Sequence, residues 1–534
     1  MHDVTTDSVT TIRVPMTGDS TQPSLLRPGE NCWRIEQADR LSVIVDAADY
    51  FRVVRDAMMG AKEQILLVGW DVDPRILLDP TEEDGETPNC LADFIPWLVK
   101  RRPELRIHLL IWNMGFFKMV VRGGKAIFQL ARWRMTRNVE IRFDSSQPIG
   151  ATHHQKIVVI DDSIAFCGGI DMTSDRWDTP EHLDDQPYRR LPGGSAYMAW
   201  HDTATAVDGA AAKALGELAR ERWHLGTRRH LPAPTPHAAP WPERLGVLME
   251  DRGIAVSRTV PKTEKTAETR EIEALYVDMI AAAKHFIYAD NQYFASRSVA
   301  EAMAKRLGEK HGPEIVIVNP ESADGWLQEA AMGSARAELM QALIEADKYD
   351  RFQIYTPVTA AGKPIYVHSK LMIVDDRILR VGSSNMNNRS MGLDSECDIA
   401  TECPDVDPAI RHLRETLMAE HLGTTREAVA EGCSHSKSLI ATIDALRGHG
   451  KTLIPFDPPE ISDATAAFGA SGLLDPESVD ERFEPLSGRG LFRGFLRRGT
   501  RELWNDLRER RRQRRERNRG RWRRKLRKLI DRMQ

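Results

Sequence analysis

Two copies of one pattern, His-x-Lys-x4-Asp, restrict what this chain can become more than any feature of its composition. The first reads His154-Gln155-Lys156-Ile157-Val158-Val159-Ile160-Asp161; the second, 214 residues downstream, reads His368-Ser369-Lys370-Leu371-Met372-Ile373-Val374-Asp375. The unbroken apolar run from Ile157 to Ile160 suits a strand covered on both faces. Residues two apart on a strand point to the same side, so His154 and Lys156 project together, as do His368 and Lys370. An imidazole able to act as nucleophile or base beside a fixed cation suits a phosphate. The repeat also runs beyond the strand. Seven residues after each Asp comes a glycine and three later a short polar side chain, Gly168 and Asp171 in the first copy, Gly382 and Asn385 in the second. A chance duplicate of a strand would not carry so long a polar pattern.

A chain of 534 residues has room for two similar halves of ordinary domain size. The first half reads helix Asp46 to Lys62, strand Ile65 to Trp70, helix Leu91 to Lys100, strand Ile107 to Trp112, helix Ala126 to Met135 and strand Val139 to Phe143, then the His154 strand. The second repeats the order: helix Glu271 to Ala283, strand His285 to Ala289, helix Val299 to Leu307, strand Glu314 to Val318, helix Ala335 to Ala346, strand Arg351 to Tyr355 and the His368 strand. Closing helices are predicted at Ala211 to Trp223 and Ala409 to His421. Alternating helices and strands of this kind predict an α/β fold of two similar α-β-α sandwich halves, an internal duplication. The prolines from Pro232 to Pro242 resist helix and sheet and mark the boundary. The expected plan is a polar leader over 1–30, a first half over 31–230, a connector over 231–245, a second half over 246–448, a linker over 449–488 and a basic tail over 489–534.

Charge adds a partner to this plan. From Arg489 to Gln534 there are 20 Lys and Arg against five Asp and Glu, so a net charge of −4 hides a tail near +15 and a body near −19. Such a tail is drawn to an anionic surface, either membrane or nucleic acid. Apolar residues among its arginines, including Leu491, Phe495, Trp504 and Trp522, fit an interfacial amphipathic helix or a disordered basic tail. No run approaches the roughly 18 apolar residues of a membrane span, and Met1 to Arg27 lacks the basic and apolar regions of a secretory signal. A cytoplasmic or peripheral membrane protein is expected, with export by a non-classical route left open. The six cysteines lack the paired spacing of a zinc site and read as reduced, mostly buried thiols.

Together the two motifs, Gly168-Gly169-Ile170-Asp171 and Gly382-Ser383-Ser384-Asn385 resemble the phospholipase D superfamily, from about Asn31 to Gly423. The runs Arg176-Trp177-Asp178-Thr179, Trp200-His201-Asp202, Asn291-Gln292-Tyr293-Phe294 and Asn385-Met386-Asn387-Asn388-Arg389-Ser390 are similar to the eukaryotic-type enzymes. The resemblance implies an active site at the interface of the halves, with both half-sites in one chain and hence a monomer. It implies His154 as nucleophile forming a phosphohistidine and His368 as general acid that later activates water. Lys156, Lys370 and Asn385 would hold the phosphoryl oxygens. The ring nitrogen that does no chemistry needs an acceptor, and the family pattern assigns Asp202 to His154 and Glu396 to His368, with Asp394 competing for the second role. Asp161 and Asp375 belong to the signature but sit further along their strands and read as structural supports.

Neither a metal nor another cofactor is called for by these residues. Trp177, Trp200, Tyr293 and Phe294 would either line a site for a choline-like headgroup or pack in the interior. The leading reading is a phospholipase D that hydrolyses phosphatidylcholine or phosphatidylethanolamine to phosphatidic acid and free headgroup, with some transfer to alcohols. The phospholipid is its substrate and the tail is its contact with an anionic membrane. The alternatives are a cardiolipin synthase-like phosphatidyltransferase, a nuclease that would give the tail a nucleic-acid partner, and a membrane scaffold with a fossil site. Complete catalytic sets in both halves oppose the last.

Overall fold

The computed structural model describes residues 24–82, 85–113, 124–148, 150–322 and 334–456. Most of the leader, most of the linker and the whole basic tail lie outside the described residues. Among those described, sixteen strands form one sheet, fifteen along one path and Thr269–Arg270 off it against Met249–Val260. Its path runs Thr452–Pro455, Phe352–Val358, Glu314–Val318, Phe286–Asn291, Lys370–Val374, Ile378–Gly382, Glu396–Glu402 and Met249–Val260, then Arg34–Val45, Thr203–Asp208, Ile164–Gly168, Ile157–Ile160, Gln64–Gly69, Arg106–Trp112 and Val139–Asp144. Reading outward from the middle, each half repeats the other. Antiparallel strands that carry the motifs come first, and beyond them lie three mutually parallel strands with helical crossovers.

The two expected sheets are therefore continuous. The join is an antiparallel pair of twelve-residue strands, Arg34–Val45 and Met249–Val260, in register from Arg34 opposite Val256 to Leu41 opposite Met249. Charged residues interrupt both strands, Glu36, Asp39 and Arg40 in one and Glu250, Asp251 and Arg252 in the other, so neither shows the apolar run that revealed the motif strands. The sheet also extends where a linker was expected from residue 449. Thr452–Pro455 pairs with Phe352–Val358 and buries Leu453, which makes this stretch an edge strand.

The helices Gly209–Thr227 and Pro408–Leu422 cover one face through a core common to both halves, in which Leu215, Leu218 and Trp223 join Leu417 and Met418. On the other face each half has its own core, around Phe51, Phe94 and Trp133 in one and Tyr276, Met303 and Leu343 in the other. The Pro-rich connector packs along the first half: Gln64 donates to the carbonyl of Pro232, and Arg40 lies over Trp241 at 4.6 Å.

Each motif strand ends in the same turn. Asp161 and Asp162 have φ of 51° and 51°, Asp375 and Asp376 of 54° and 53°, the two successive left-handed residues of a primed hairpin turn, where Asp is tolerated. Asp161 accepts the backbone N–H groups of Lys62, Glu63 and Gln64 at 2.6, 2.9 and 2.7 Å. Asp375 accepts those of Lys284, His285 and Phe286 at 2.7, 2.8 and 2.8 Å. These carboxylates tie each motif hairpin to the start of the neighbouring parallel strand. Loss of a buried carboxylate with three donors, at a positive φ, costs about 2–4 kcal/mol. Asp375→Ala should lower the calorimetric unfolding midpoint accordingly while folded molecules keep their activity; an unchanged midpoint would refute the structural assignment.

Candidate active site

The chain just before each motif strand leaves its own half and pairs with the other. His154 donates its backbone N–H to the carbonyl of Ser395 at 3.0 Å, and Ser395 donates to Thr152 at 3.0 Å. In the second half Tyr366–Val367 pairs with Trp200–His201, and His368 donates to the carbonyl of His201 at 2.7 Å. Each histidine therefore lies beside the residue that precedes the other half's carboxylate.

The side chains follow. His154 Nδ1 lies 3.0 and 2.9 Å from the two oxygens of Glu396, and His368 Nδ1 lies 2.7 Å from Asp202. This exchanges the expected partners, Asp202 for His154 and Glu396 for His368. The physical reason is the dyad: both carboxylates stand at or just before the strands nearest the join, Thr203–Asp208 and Glu396–Glu402, and face across it. Asp394, the competing candidate, is taken up by Arg389 at 2.7 Å and by the N–H of Thr152 at 2.7 Å.

Both carboxylates are buried and held by further donors. Glu396 accepts from Ser383 at 2.5 Å and Ser390 at 2.7 Å, and Asp202 accepts the N–H of Thr203 at 2.8 Å. Burial raises the Glu396 carboxyl to about 7 and raises that of Asp202 as well. With each Nδ1 on a carboxylate, Nε2 is left for chemistry on both rings.

Lys156 donates to the carbonyl of His154 at 3.0 Å and lies 3.3 Å from Asp171. Lys370 bonds the carbonyl of His368 and Gln292 Oε1, the latter at 3.0 Å. Asn385 is buried, with its Oδ1 unpartnered among the described residues. Sequence reasoning missed Gln292 as a contact of Lys370, and also Arg176, whose guanidinium lies over Trp200 at 4.1 Å. Burial, then Lys156 and Lys370, push the His154 imidazole well below its usual range; burial, Lys370, Arg176 and Lys156 do the same to His368. Burial also lowers Lys370 to about 7. Neutral imidazoles among cations leave a site suited to an anion.

The aromatic residues serve other ends. The Trp200 ring is covered by Tyr366 at 4.6 Å as well as by Arg176, and it lies 5.2 Å from the His368 ring. Phe294 is fully buried in the second half's own core. Neither presents an open face to a quaternary ammonium, which removes both from the expected headgroup cage.

Beside Asp202 lies a second polar cluster. Asp46, His182, His201 and Glu420 each bring one ligand atom within 4.8 Å of the others, as do His201, Asp290 and His421, so these residues could hold a metal ion. His201 Nδ1 is 2.8 Å from Glu420 and 3.3 Å from Asp46; His182 Nε2 is 3.1 Å from Glu420. Burial opposes charge on His201, but Glu420, Asp290 and Asp46 outweigh it and raise the imidazole well above its usual range. Its members are scattered through the sequence, and only the run Trp200-His201-Asp202 hinted at it.

The crossing and the charge state can be checked together by ¹⁵N-resolved histidine titration. In the free protein His154 and His368 should titrate below the ordinary value of about 6.5, and saturating inorganic phosphate should move both upward, because an anion offsets the lysines. Glu396→Gln should shift the His154 signal and spare His368, and Asp202→Asn the reverse. Titration at or above the ordinary value, or a shift of each histidine by its own half's carboxylate, would contradict this site.

Comparisons with known proteins agree with the duplication. The phospholipase D family model matches residues 57–233, and the model described as cardiolipin synthase, PLD-like domain, matches residues 276–418. Phospholipase D A of Dictyostelium discoideum is 25% identical over 441 residues, 69% of this chain and 33% of that protein. Phospholipase D1 of Schizosaccharomyces pombe is 24% identical over 499 residues, covering 73% and 36%, and phospholipase D2 of Bos taurus is 22% identical over 471, covering 68% and 50%. The chain thus spans between a third and a half of the length of these curated relatives. Among solved structures, a phosphatidylserine synthase of Haemophilus influenzae aligns with a TM-score of 0.50 at 12% identity, over 72% of this chain and 87% of that one, a likeness of fold.

Proposed function

This chain belongs to the phospholipase D superfamily, and on that premise we propose that it is a phosphodiesterase that hydrolyses the distal phosphodiester of glycerophospholipids to phosphatidic acid and free headgroup. The observation that carries the reading is the crossed pair of imidazole–carboxylate contacts, His154 with Glu396 and His368 with Asp202, each with a lysine two residues on.

In the proposed mechanism Lys156, Lys370 and Asn385 hold the nonbridging oxygens. His154 Nε2 attacks phosphorus as His368, protonated once the anion is bound, gives its proton to the departing headgroup oxygen. The P–O bond to the headgroup breaks as the P–N bond forms. His368, now neutral, then takes a proton from water, whose oxygen displaces His154 and releases phosphatidic acid. Glu396 and Asp202 orient the rings and stabilise positive charge on each in turn. An alcohol in place of water gives transfer, the second reading; it is favoured by the synthase description of the family model over residues 276–418. The tail over 489–534 would hold the acidic body to an anionic leaflet at about 1 kcal/mol for each basic residue near the surface.

His154→Ala and His368→Ala should each cut turnover of phosphatidylcholine by at least roughly 10²–10⁴-fold without loss of fold, and acid-free denaturation during turnover should trap phosphate on His154. Wild-type rates in either variant, or label on His368 alone, would overturn the roles. A product assay with phosphatidylcholine, phosphatidylglycerol and single-stranded DNA separates hydrolysis, phosphatidyl transfer and nuclease activity. Removing 489–534 should abolish salt-sensitive binding to anionic vesicles and spare a short-chain soluble substrate; undiminished vesicle binding would rule out the tail as anchor.

A further inference from the structure

The two motif lysines keep different company. Each gives one hydrogen bond to the carbonyl of its own half's histidine, His154 or His368. The second partner of Lys370 is a neutral amide, Gln292 Oε1 at 3.0 Å, whereas Lys156 faces a carboxylate, Asp171 Oδ2 at 3.3 Å. The strand register accounts for the difference. Ile65 lies opposite Ile160 and Ile287 opposite Val374, the residues just before Asp161 and Asp375, so Trp70 stands where the second half has Gln292. An indole has no oxygen to offer a lysine, and Asp171 takes that part instead.

Asp171 is held firmly in this place. It is buried, and its Oδ1 accepts the N–H groups of Trp70 at 2.9 Å and Asp71 at 3.4 Å. A Cβ at Gly69 would lie 3.1 Å from Oδ1, so glycine there leaves the carboxylate its room. Oδ2 makes no hydrogen bond among the described residues and is left facing the ammonium. The negative charge also acts on His154, where it opposes the downward push of burial, Lys156 and Lys370. Asn385, three residues after the second motif glycine as Asp171 is after the first, brings no charge to the second half.

That charge bears on what the site can hold. A phosphoryl oxygen bound to Lys156 through a contact of roughly 2.8 Å shares the ammonium with Asp171 and lies at most about 6 Å from Oδ2. At that separation and an effective protein dielectric of about 20, each negative charge on the ligand loses roughly tenfold to hundredfold in affinity. A phosphodiester carries one such charge and a phosphomonoester about −1.5 to −2 at pH 7, so the monoester loses more. In the proposed hydrolysis the diester is the substrate and the monoester, phosphatidic acid, is the product. Lys156, Lys370 and Arg176 alone would hold that product more tightly than the substrate.

We propose that Asp171 is a positioning residue, acting through Lys156, that sets the site's preference for singly charged phosphodiesters over doubly charged phosphomonoesters and so speeds product release. The proposal rests on the phosphodiesterase reading and names the residue that tunes its charge selectivity.

The test is calorimetric binding to the full chain near pH 8, above the second ionisation of a monoester at about 6, with ethyl phosphate and diethyl phosphate as matched probes. Asp171→Asn keeps the shape and an oxygen for the N–H of Trp70, so it should fold. It should move the ratio of the two dissociation constants toward the monoester by roughly tenfold to hundredfold. It should also strengthen inhibition by added phosphatidic acid. Asn385→Asp, which places a carboxylate at the equivalent position of the second half, should move the ratio the other way. A merely structural Asp171 would change both affinities alike. A folded Asp171→Asn with the wild-type ratio therefore overturns the proposal, as does a wild-type protein that binds neither probe; should Asp171→Asn fail to fold, Asn385→Asp decides alone. Phosphatidylcholine turnover by the wild type separates the two readings. An active enzyme whose ratio ignores Asp171 removes the charge selection and keeps the phosphodiesterase. A ratio that responds to Asp171 in a protein inactive on every phosphodiester supports the charge selection and removes the phosphodiesterase.

Discussion

Each motif imidazole is completed by a carboxylate from the opposite half, and the rest of the molecule is built around keeping those two contacts short. A carboxylate taken out of water costs several kcal/mol unless its oxygens are fully used. Glu396 meets that demand with His154, Ser383 and Ser390, and Asp202 with His368 and Thr203. Neither set of donors and acceptors closes inside one half. A hinge between the halves would strand both carboxylates. The continuous sheet is the mechanical answer, since Arg34–Val45 against Met249–Val260 fixes the halves through backbone hydrogen bonds instead of side-chain packing alone.

Much of this was legible in the sequence, and what was not shares one cause. The unbroken apolar strands, the crossover helices and the duplicated polar spacing are local signals, and strands such as Glu314–Val318 lie where their composition places them. The pairing of histidines with carboxylates is a property of the dyad. Asp202 follows the first motif and Glu396 the second, so a reading along the chain keeps each in its own half, while the strand order carries each to the other. The joining strands escaped notice because charges such as Asp39 and Arg40, or Asp251 and Arg252, interrupt their apolar pattern. Gln292 and Arg176 stand in runs that resemble the family, but the runs do not name their contacts, and only the fold brings them to Lys370 and Trp200.

The duplication is also broken in ways that bear on the chemistry. Gly169 and Ser383 occupy equivalent places. A Cβ at Gly169 would collide with the carboxylate of Asp202, whereas Ser383 donates to the longer Glu396. Three residues after each motif glycine, Asp171 receives the N–H of Trp70 at 2.9 Å and pairs with Lys156, and Asn385 keeps a buried, unpartnered carbonyl. The Lys156 side therefore carries an extra negative charge, and the Lys370 side carries instead Arg176 over Trp200. Two histidines in equal surroundings would have no reason to divide the work; these surroundings differ in charge and in donors, as the proposed division of roles requires.

The buried network behind Asp202 extends the same logic inward. The N–H of Asp202 is held by Asp46 at 3.1 Å, and Asp46 faces His201, His182 and Glu420, while His182 is fixed on its other nitrogen by Asp178 at 3.0 Å. Arg189 pairs with Asp178 at 3.0 Å, and Asp290 reaches both His201 and His421. Asp46, Asp290 and Glu420 are buried together, and His201 and His182, raised by these carboxylates, place positive charge among them. Movement of any one member leaves a charge uncompensated, so the cluster resists displacement as a unit. Since it reaches from the first half through Asp46 and His201 to the second through Asp290, Glu420 and His421, it holds the His368–Asp202 contact against a wall that belongs to both halves.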